Sequence, residues 1–204
     1  MNDIYISGTG IWTPPYKVSN DELVESFNKY VDLYNLEHAN EIKDGSIEPL
    51  VHSSSEFIVK ASGIKNRYVI EKEALLDPNR MKPQINARND DELSFSAEVS
   101  VIAAKEALNN AGLNPSDIDA VIVSAANLQR AYPAIAIEVQ NELGIEGFAY
   151  DMMVGCSAST FGINNAYCDI KSGKSSKVLV ISPEITSGHN NFKNRDGHFI
   201  FGDI

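Results

Sequence analysis

The sequence predicts a layered α/β fold built on a largely parallel sheet. Runs of almost continuously apolar residues predict buried strands at Ala120–Ser124, Phe148–Met152 and Val178–Ile181. Apolar residues recur at helical spacing over Leu93–Ala111, Pro133–Leu143 and Ser157–Lys171. Strands that are apolar on both faces and alternate with helices are typical of a parallel sheet covered on both sides.

The ends of these helices carry the expected signals. Gly112 follows the first helix and Gly173 follows the third, and glycine readily adopts the left-handed conformation that ends a helix. Pro133 stands in the first turn of the second helix, where a missing N–H group breaks no hydrogen bond.

The amino-terminal residues predict a strand and a capped helix. Ile4–Ser7 has the composition of a strand and runs into a turn at Gly8-Thr9-Gly10. A dinucleotide-binding fingerprint is excluded there, because it needs a third glycine that opens a helix. Ser19 precedes acidic residues and an apolar face, and it is predicted to be a helix N-cap.

The remaining segments are less regular. A helix is predicted over Ser55–Ser62, with extended residues at Arg67–Ile70. Polar, charged stretches at about 30–52 and 71–91 are expected to be surface insertions. Phe199–Phe201 has the composition of a core strand, and its place so near the end of the chain suggests a part of a longer polypeptide.

Charge and composition exclude several classes of function. The net charge of −11 argues against nucleic acid or an anionic membrane as a partner, because such surfaces require clustered Lys and Arg. No apolar run reaches the roughly 20 residues of a membrane span, and no secretory signal is evident. Neither cysteine has metal-site spacing to other ligands, so we expect no metal, and we expect no cofactor. Two free thiols and the lack of a secretory signal predict a cytoplasmic location.

Cys156 is the residue whose position suggests chemistry. It lies between the strand Phe148–Met152 and a helix that begins near Ser157, at the edge of a parallel sheet where ligands gather. Unpaired N–H groups at a helix N-terminus favour the thiolate form of such a residue. Position alone leaves two roles open, a catalytic nucleophile and a small buried residue. Cys168, in the middle of its helix, is expected to pack in the core.

Six short landmarks occur in a characteristic order. They are Ile6-Ser7-Gly8-Thr9-Gly10 with Pro14, Ser55-Glu56-Phe57-Ile58 with Gly63-Ile64-Lys65-Asn66-Arg67, Ala131-Tyr132-Pro133, Gly155-Cys156-Ser157, Lys171-Ser172-Gly173, and Phe201-Gly202-Asp203. With these landmarks the chain resembles the amino-terminal half of β-ketoacyl-acyl carrier protein synthase III. The resemblance implies a thiolase-like layered αβαβα sandwich, with residues 1–204 as its first half and the carboxy-terminal half absent from the sequence given.

The resemblance also implies an activity. The family members are acyltransferases of fatty-acid biosynthesis that catalyse a decarboxylative Claisen condensation. Cys156 would accept the acyl group of acyl-CoA, and malonyl-acyl carrier protein would decarboxylate and attack the resulting thioester. The backbone N–H of Cys156 would stabilise the developing oxyanion. The implied partners are acyl-CoA, malonyl-acyl carrier protein and a second copy of the chain in a homodimer.

Binding residues follow from the same resemblance. Phe57 occupies the position of a family tryptophan that lies against the CoA adenine, and Arg195 that of the arginine on its other face. A further family arginine is replaced here by Ala61, and Ser53 is placed with the substrate-binding residues. Core packing on its helix remains an alternative role for Phe57.

Two aromatic residues are matched to the acyl pocket. Phe201 matches a pocket position, and Tyr132 matches a loop residue that reaches the neighbouring subunit's pocket. Both are equally consistent with core or dimer-contact aromatics. The two insertions and Tyr132 resemble a branch primed by medium-chain acyl-CoA, whose product is β-ketodecanoyl-acyl carrier protein.

The family mechanism also requires a histidine and an asparagine from the carboxy-terminal half. Nothing in the spacing of His189 or His198 makes either a partner for Cys156, and both are expected to form local hydrogen bonds. If these residues were the whole molecule, we would expect little condensation activity. Other thiolase-superfamily enzymes (thiolase, hydroxymethylglutaryl-CoA synthase, polyketide-type synthase) and a non-catalytic acyl-CoA-binding or dimerising fragment remain as alternatives.

Overall fold

The structure, a computed structural model, describes residues 3–204 and divides into two compact units. Unit 2 contains residues 13–86 and 185–203, and unit 1 contains residues 3–12, 87–184 and 204. Each unit is built around its own hydrophobic core. No helix within residues 3–204 is long and apolar enough to cross a membrane.

Unit 2 combines helices with a two-stranded antiparallel ribbon. Its elements in chain order are β1 (Tyr16–Ser19), α1 (Asn20–Glu37), α2 (Ala39–Lys43), α3 (Ser55–Ser62) and β2 (Asn66–Val69). Strands β1 and β2 pair antiparallel, with Val18 opposite Arg67. The core of this unit is formed by apolar residues from both of its stretches of chain, 13–86 and 185–203: Val18, Leu23, Phe27, Val31, Ile58, Val69, Leu75, Met81, Phe192 and Phe199.

Helix α1 begins at the N-cap that the sequence predicts. The Ser19 hydroxyl accepts a hydrogen bond from the Glu22 N–H at 3.2 Å, and the Glu22 carboxylate accepts one from the Ser19 N–H at 2.9 Å. The Lys72 ammonium lies 2.5 Å from the other Glu22 oxygen. The hydrogen bond from Lys72, followed by those from Ser19, lowers the pKa of Glu22 to about 2.

Unit 1 contains the parallel sheet. Its elements are α4 (Phe95–Ala111), β3 (Ala120–Ala125), α5 (Ile135–Leu143), β4 (Phe148–Met153), α6 (Ala158–Lys171) and β5 (Val178–Ile181). Strand β3 lies in the middle, parallel to β4 on one side and to β5 on the other. Every residue of β3 is buried, which explains why this run is apolar on both faces.

Carboxylates fix the starts of two helices in unit 1. Glu138 accepts hydrogen bonds from the N–H and hydroxyl of Ser94, the N-cap of α4. Asp151, on β4, accepts hydrogen bonds from the N–H groups of Ile135 and Ala136 at 2.8 Å each, so it caps α5 from the sheet. Burial raises the pKa of Asp151, although the two N–H groups oppose that shift.

The predicted elements from α3 to β5 are confirmed, with their ends within two residues of those predicted, and the layered α/β class is confirmed with them. The strand prediction at Ile4–Ser7 is wrong. Within the described chain, these residues pair with no strand, and nearby polar groups bond instead to α4 side chains. Asn110 donates to the Thr9 carbonyl and Ile11 donates to Glu106, at 2.8 Å each.

Two other expectations change. Phe199–Phe201 forms no strand: Phe199 packs in the unit 2 core, Ile200 and Phe201 are exposed, and Asp203 alone forms an isolated bridge, to Ile185. Within the stretch 71–91, Leu75 and Met81 are buried in the unit 2 core. That stretch therefore contributes apolar side chains to the core as well as residues to the surface.

Candidate active site

Cys156 lies in a short turn between β4 and α6. Gly155–Ser157 forms one turn of 3₁₀ helix, and α6 follows directly with Ala158. Gly155 has φ +60°, a left-handed conformation that only glycine adopts without strain. The Ser157 hydroxyl makes no capping hydrogen bond to α6. Cys156 is exposed within the described chain and does not belong to either hydrophobic core.

The last residues of β3 hold this turn from both sides. On the entry side, the Val154 N–H donates to the Ala125 carbonyl at 3.3 Å. On the exit side, the hydroxyl of Ser124, which is fully buried, donates to the Ala158 carbonyl at 2.7 Å. The main chain around Cys156 is therefore tied to the carboxyl end of the central strand, where parallel α/β sheets bind ligands.

Helix α6 lies close to the sheet through small residues. Ala158, Gly162 and Ala166 are its buried residues, spaced four apart on one face. A Cβ at Gly162 would be 2.9 Å from Cγ1 of Val180 and 3.0 Å from Cβ of Ser124, so a side chain at that position would push the helix away. Cys168 is off this face and is exposed, so the prediction that it packs in the core is wrong.

Tyr132 is also in unit 1, in the loop between β3 and α5. It is 92% exposed and precedes Pro133 through a cis peptide bond. The Tyr132 ring is therefore not part of a hydrophobic core of this chain. Its role at a neighbouring subunit's pocket stays a prediction.

In unit 2, Phe57 and Arg195 are brought together. The guanidinium carbon of Arg195 lies 4.0 Å from the centroid of the Phe57 ring, a close cation–π contact. The Arg195 Nε group donates to the His52 carbonyl at 2.8 Å, which fixes the direction of the side chain. The rings of Phe199 and Phe57 are perpendicular, with their centroids 5.8 Å apart, so Phe57 contacts both Arg195 and the unit 2 core.

The other two predicted binding residues of unit 2 differ in exposure. Ser53 is buried, and Asn28 forms hydrogen bonds with its main-chain N–H and carbonyl groups. The Ser53 hydroxyl has no hydrogen-bond partner among residues 3–204. Phe201 is exposed, so its ring is available to a ligand or to another surface.

His198 is a packing residue in unit 2. Its imidazole stacks on Phe27 with ring centroids 4.5 Å apart, and Nδ1 lies 3.1 Å from the Asn194 carbonyl oxygen. Burial, with a smaller contribution from the charges of Arg67 and Arg195, lowers the pKa of His198 to about 4. The ring is therefore neutral near pH 7, and the expected local hydrogen bond is confirmed.

A large groove in unit 1 is separate from Cys156. Its volume is about 1930 Å³, and it is lined by residues 3–12, one face of α4, and residues of α6 and β5. Cys156 is not among the residues that line it. No cluster of three His, Cys, Asp or Glu side chains within residues 3–204 is arranged to hold a metal ion.

Comparisons with known proteins point to one family. The profile of the family described as 3-oxoacyl-[acyl-carrier-protein] synthase III matches residues 150–203, which include Cys156. A β-ketodecanoyl-[acyl-carrier-protein] synthase of Pseudomonas aeruginosa is 55% identical over 180 residues, covering 88% of this chain and 51% of that protein. A β-ketoacyl-[acyl-carrier-protein] synthase III of Brucella anthropi is 34% identical over 163 residues, covering 79% of this chain and 44% of that protein.

A solved structure supports the fold. The 3-oxoacyl-[acyl-carrier-protein] synthase III of Aquifex aeolicus superposes with a TM-score of 0.69 at 27% identity, over 97% of this chain and 50% of that one. The thiolase-like fold predicted from the landmarks is thereby confirmed. The chain spans about half the length of the curated relatives it matches.

Proposed function

Since the chain belongs to the 3-oxoacyl-[acyl-carrier-protein] synthase III family, we propose that it is the Cys156-bearing part of an acyltransferase of fatty-acid biosynthesis. One observation carries the proposal: Cys156 is exposed in a tightly held turn between β4 and α6. The family match covers that turn. In this proposal Cys156 is the acyl acceptor, and acyl-CoA and malonyl-acyl carrier protein are the substrates.

The first half-reaction is transfer of an acyl group to sulfur. The Cys156 thiolate attacks the thioester carbonyl of acyl-CoA and forms a new C–S bond. The tetrahedral intermediate then expels CoA as a thiolate, which takes up a proton. Main-chain N–H groups at the start of α6 are suited to stabilise the oxyanion, because the Ser157 hydroxyl does not occupy them.

The second half-reaction is condensation. Malonyl-acyl carrier protein loses carbon dioxide, and the electron pair of the broken C–C bond attacks the Cys156 thioester. The β-ketoacyl product leaves on the carrier protein, and the Cys156 thiolate is restored. The family uses a histidine and an asparagine of its carboxy-terminal half in this step, so the 204-residue chain should perform the first half-reaction far better than the second.

The primer is proposed to be a medium-chain acyl-CoA. The support is the relative at 55% identity, whose name states a β-ketodecanoyl product. Because malonyl adds two carbons after decarboxylation, an eight-carbon primer gives that product. The CoA adenine is proposed to bind at Phe57 and Arg195, with Ser53 nearby in sequence, and Tyr132 and Phe201 are proposed to contact the acyl chain. A cytoplasmic homodimer completes the proposal.

Intact-mass measurement tests the proposal directly. The chain is incubated with octanoyl-CoA or with acetyl-CoA, and the mass of the protein is followed with time. We expect a mass increase of one acyl group, faster with octanoyl-CoA. The increase should be absent in Cys156→Ala and unchanged in Cys168→Ala, the matched control, which removes the other exposed thiol.

The alternatives give different results. A non-catalytic acyl-CoA-binding fragment would bind octanoyl-CoA without a change of mass. Acylation that survives in Cys156→Ala would assign the acceptor to another residue. No mass change with any acyl-CoA would refute the proposed first half-reaction.

A further inference from the structure

Glu184 lies three residues after the end of β5, and its main chain is fixed. Pro183 precedes it and restricts the backbone there. The Glu184 N–H donates to the Ile204 carbonyl, and the Glu184 carbonyl accepts from the Ile204 N–H, both at 2.8 Å. The side chain of Glu184 therefore starts from a defined point in unit 1.

The Glu184 carboxylate reaches across to the central strand. Its Oε1 atom accepts a hydrogen bond of 2.5 Å from the N–H of Ala126, the first residue after β3. Its Oε2 atom is buried and has no hydrogen-bond donor within residues 3–204. The short hydrogen bond to the Ala126 N–H is suited to hold the end of β3 in place.

The residues held by Glu184 adjoin those that hold the Cys156 turn. Ala125, next to Ala126, accepts from the Val154 N–H before the turn, and Ser124 donates to the Ala158 carbonyl after it. A shift of the end of β3 would therefore move both flanks of Cys156 together.

We propose that Glu184 is a positioning residue for the Cys156 nucleophile, acting through Ala126 and the end of β3. The inference rests on the proposed acylation of Cys156. Glu184 does not touch the acyl group in this proposal. It keeps the sulfur at the place where attack on the thioester is productive, and a displacement of about 1 Å there can cost on the order of a hundredfold in rate.

The test compares two substitutions of Glu184 by the rate of octanoyl transfer. Rates measured over a range of octanoyl-CoA concentrations give two quantities: the maximal rate of acylation and the half-saturation concentration, at which the rate is half of that maximum. Glu184→Ala should lower the maximal rate by about tenfold or more and change half-saturation by less than about twofold. Glu184→Gln keeps an oxygen acceptor for the Ala126 N–H, so it should recover most of the rate. A Gln variant as slow as the Ala variant overturns the proposal.

Asp119→Ala is the matched control. Asp119 is also a carboxylate that accepts main-chain N–H groups, those of Ser176 at 2.6 Å and Lys177 at 2.9 Å, but at the opposite end of β3. We expect this variant to acylate at the wild-type rate. Equal slowing of the Asp119 and Glu184 variants would mean general destabilisation and would overturn the positioning role.

Alkylation by iodoacetamide separates this inference from the proposed function. Cys156 lies just before α6 and Cys168 lies within it, and both are exposed. The alkylation rate of Cys168 therefore serves as an internal reference for that of Cys156. Glu184→Ala should lower the alkylation rate of Cys156 relative to Cys168 by about threefold or more, because thiol reactivity follows its surroundings. If no acyl-CoA acylates the wild-type chain, the proposed function fails, and this ratio still decides the positioning role. An unchanged ratio overturns it.

Discussion

At the residue scale, the adenine site proposed at Phe57 and Arg195 requires the two side chains to move apart, because they are in contact with each other. The guanidinium lies 4.0 Å from the ring centroid, which is one contact distance. A purine between them needs two contact distances, roughly 7 Å. Arg195 must therefore move away from Phe57 by about 3 Å before adenine can bind between the two groups.

This geometry leads to a prediction for CoA binding. Phe57→Ala should weaken the binding of CoA by about tenfold, because stacking on an aromatic side chain contributes roughly 1–3 kcal/mol per base. Phe57→Trp should strengthen it, since the larger ring offers more stacking area. Calorimetric titration with CoA and with pantetheine, which lacks adenine, measures the effect. If pantetheine binding weakens as much as CoA binding in Phe57→Ala, Phe57 does not contact the adenine.

The residues that support Cys156 were harder to predict than Cys156 itself. Its position after a strand and before a helix is visible in the sequence, because both elements have local periodicity. Ser124 and Glu184 act on partners 34 and 58 residues away, and no local pattern encodes such contacts. A weak signal did exist, since Ser124 is the one polar residue of an otherwise apolar strand.

At the element scale, the start of α1 depends on an ionised carboxylate. The pKa of Glu22 is lowered to about 2 from its usual 4.5, so the folded state favours the charged form. This contribution to stability is complete above pH 4.5 and is lost as the pH falls toward 2. Because the Glu22 side chain is 43% exposed, we expect it to contribute only about 1 kcal/mol.

Glu22→Gln tests this directly. The free energy of unfolding of the variant should be lower than that of the wild type by about 1 kcal/mol at pH 7, and the difference should vanish between pH 4.5 and 2. Urea titrations at several pH values measure it. Glu56→Gln is the control, because Glu56 is also a first-turn carboxylate, on α3, with no ion pair in the described chain. If the difference in the free energy of unfolding did not change with pH, ionisation of Glu22 would not be its cause.

Helix and strand types were predictable wherever the pattern is local. Caps such as Ser19 and Gly112 place a helix end to the residue, because they satisfy groups within one turn. Ile4–Ser7 was predicted wrongly for the opposite reason. Strand pairing depends on a distant partner, which the local pattern does not show. Here Gly8 and Gly10 let the chain lie against α4 instead. A Cβ at Gly8 would lie 2.4 Å from the Ala107 carbonyl oxygen, and one at Gly10 would lie 2.1 Å from that of Ala103.

At the scale of the whole molecule, the relatives and the solved structure establish the fold, while assembly remains a proposal. A net charge of −11 on each copy opposes association of two copies through long-range repulsion. A homodimer must therefore be held by short-range contacts, and the exposed ring of Tyr132 is suited to supply one.

Repulsion between like-charged copies makes the proposed dimer depend on salt in a definite direction. Because salt screens exposed charges, raising NaCl from about 0.05 M to about 0.5 M should strengthen association. Light scattering should give twice the 22.3 kDa of one chain at high salt.

Tyr132→Ala should raise the dissociation constant of the dimer by about tenfold or more, since a buried interface tyrosine commonly contributes over 1.4 kcal/mol. Tyr16→Ala, an exposed tyrosine on β1, should leave it unchanged. A chain that stays at 22.3 kDa at every salt and protein concentration would rule out the homodimer for these residues.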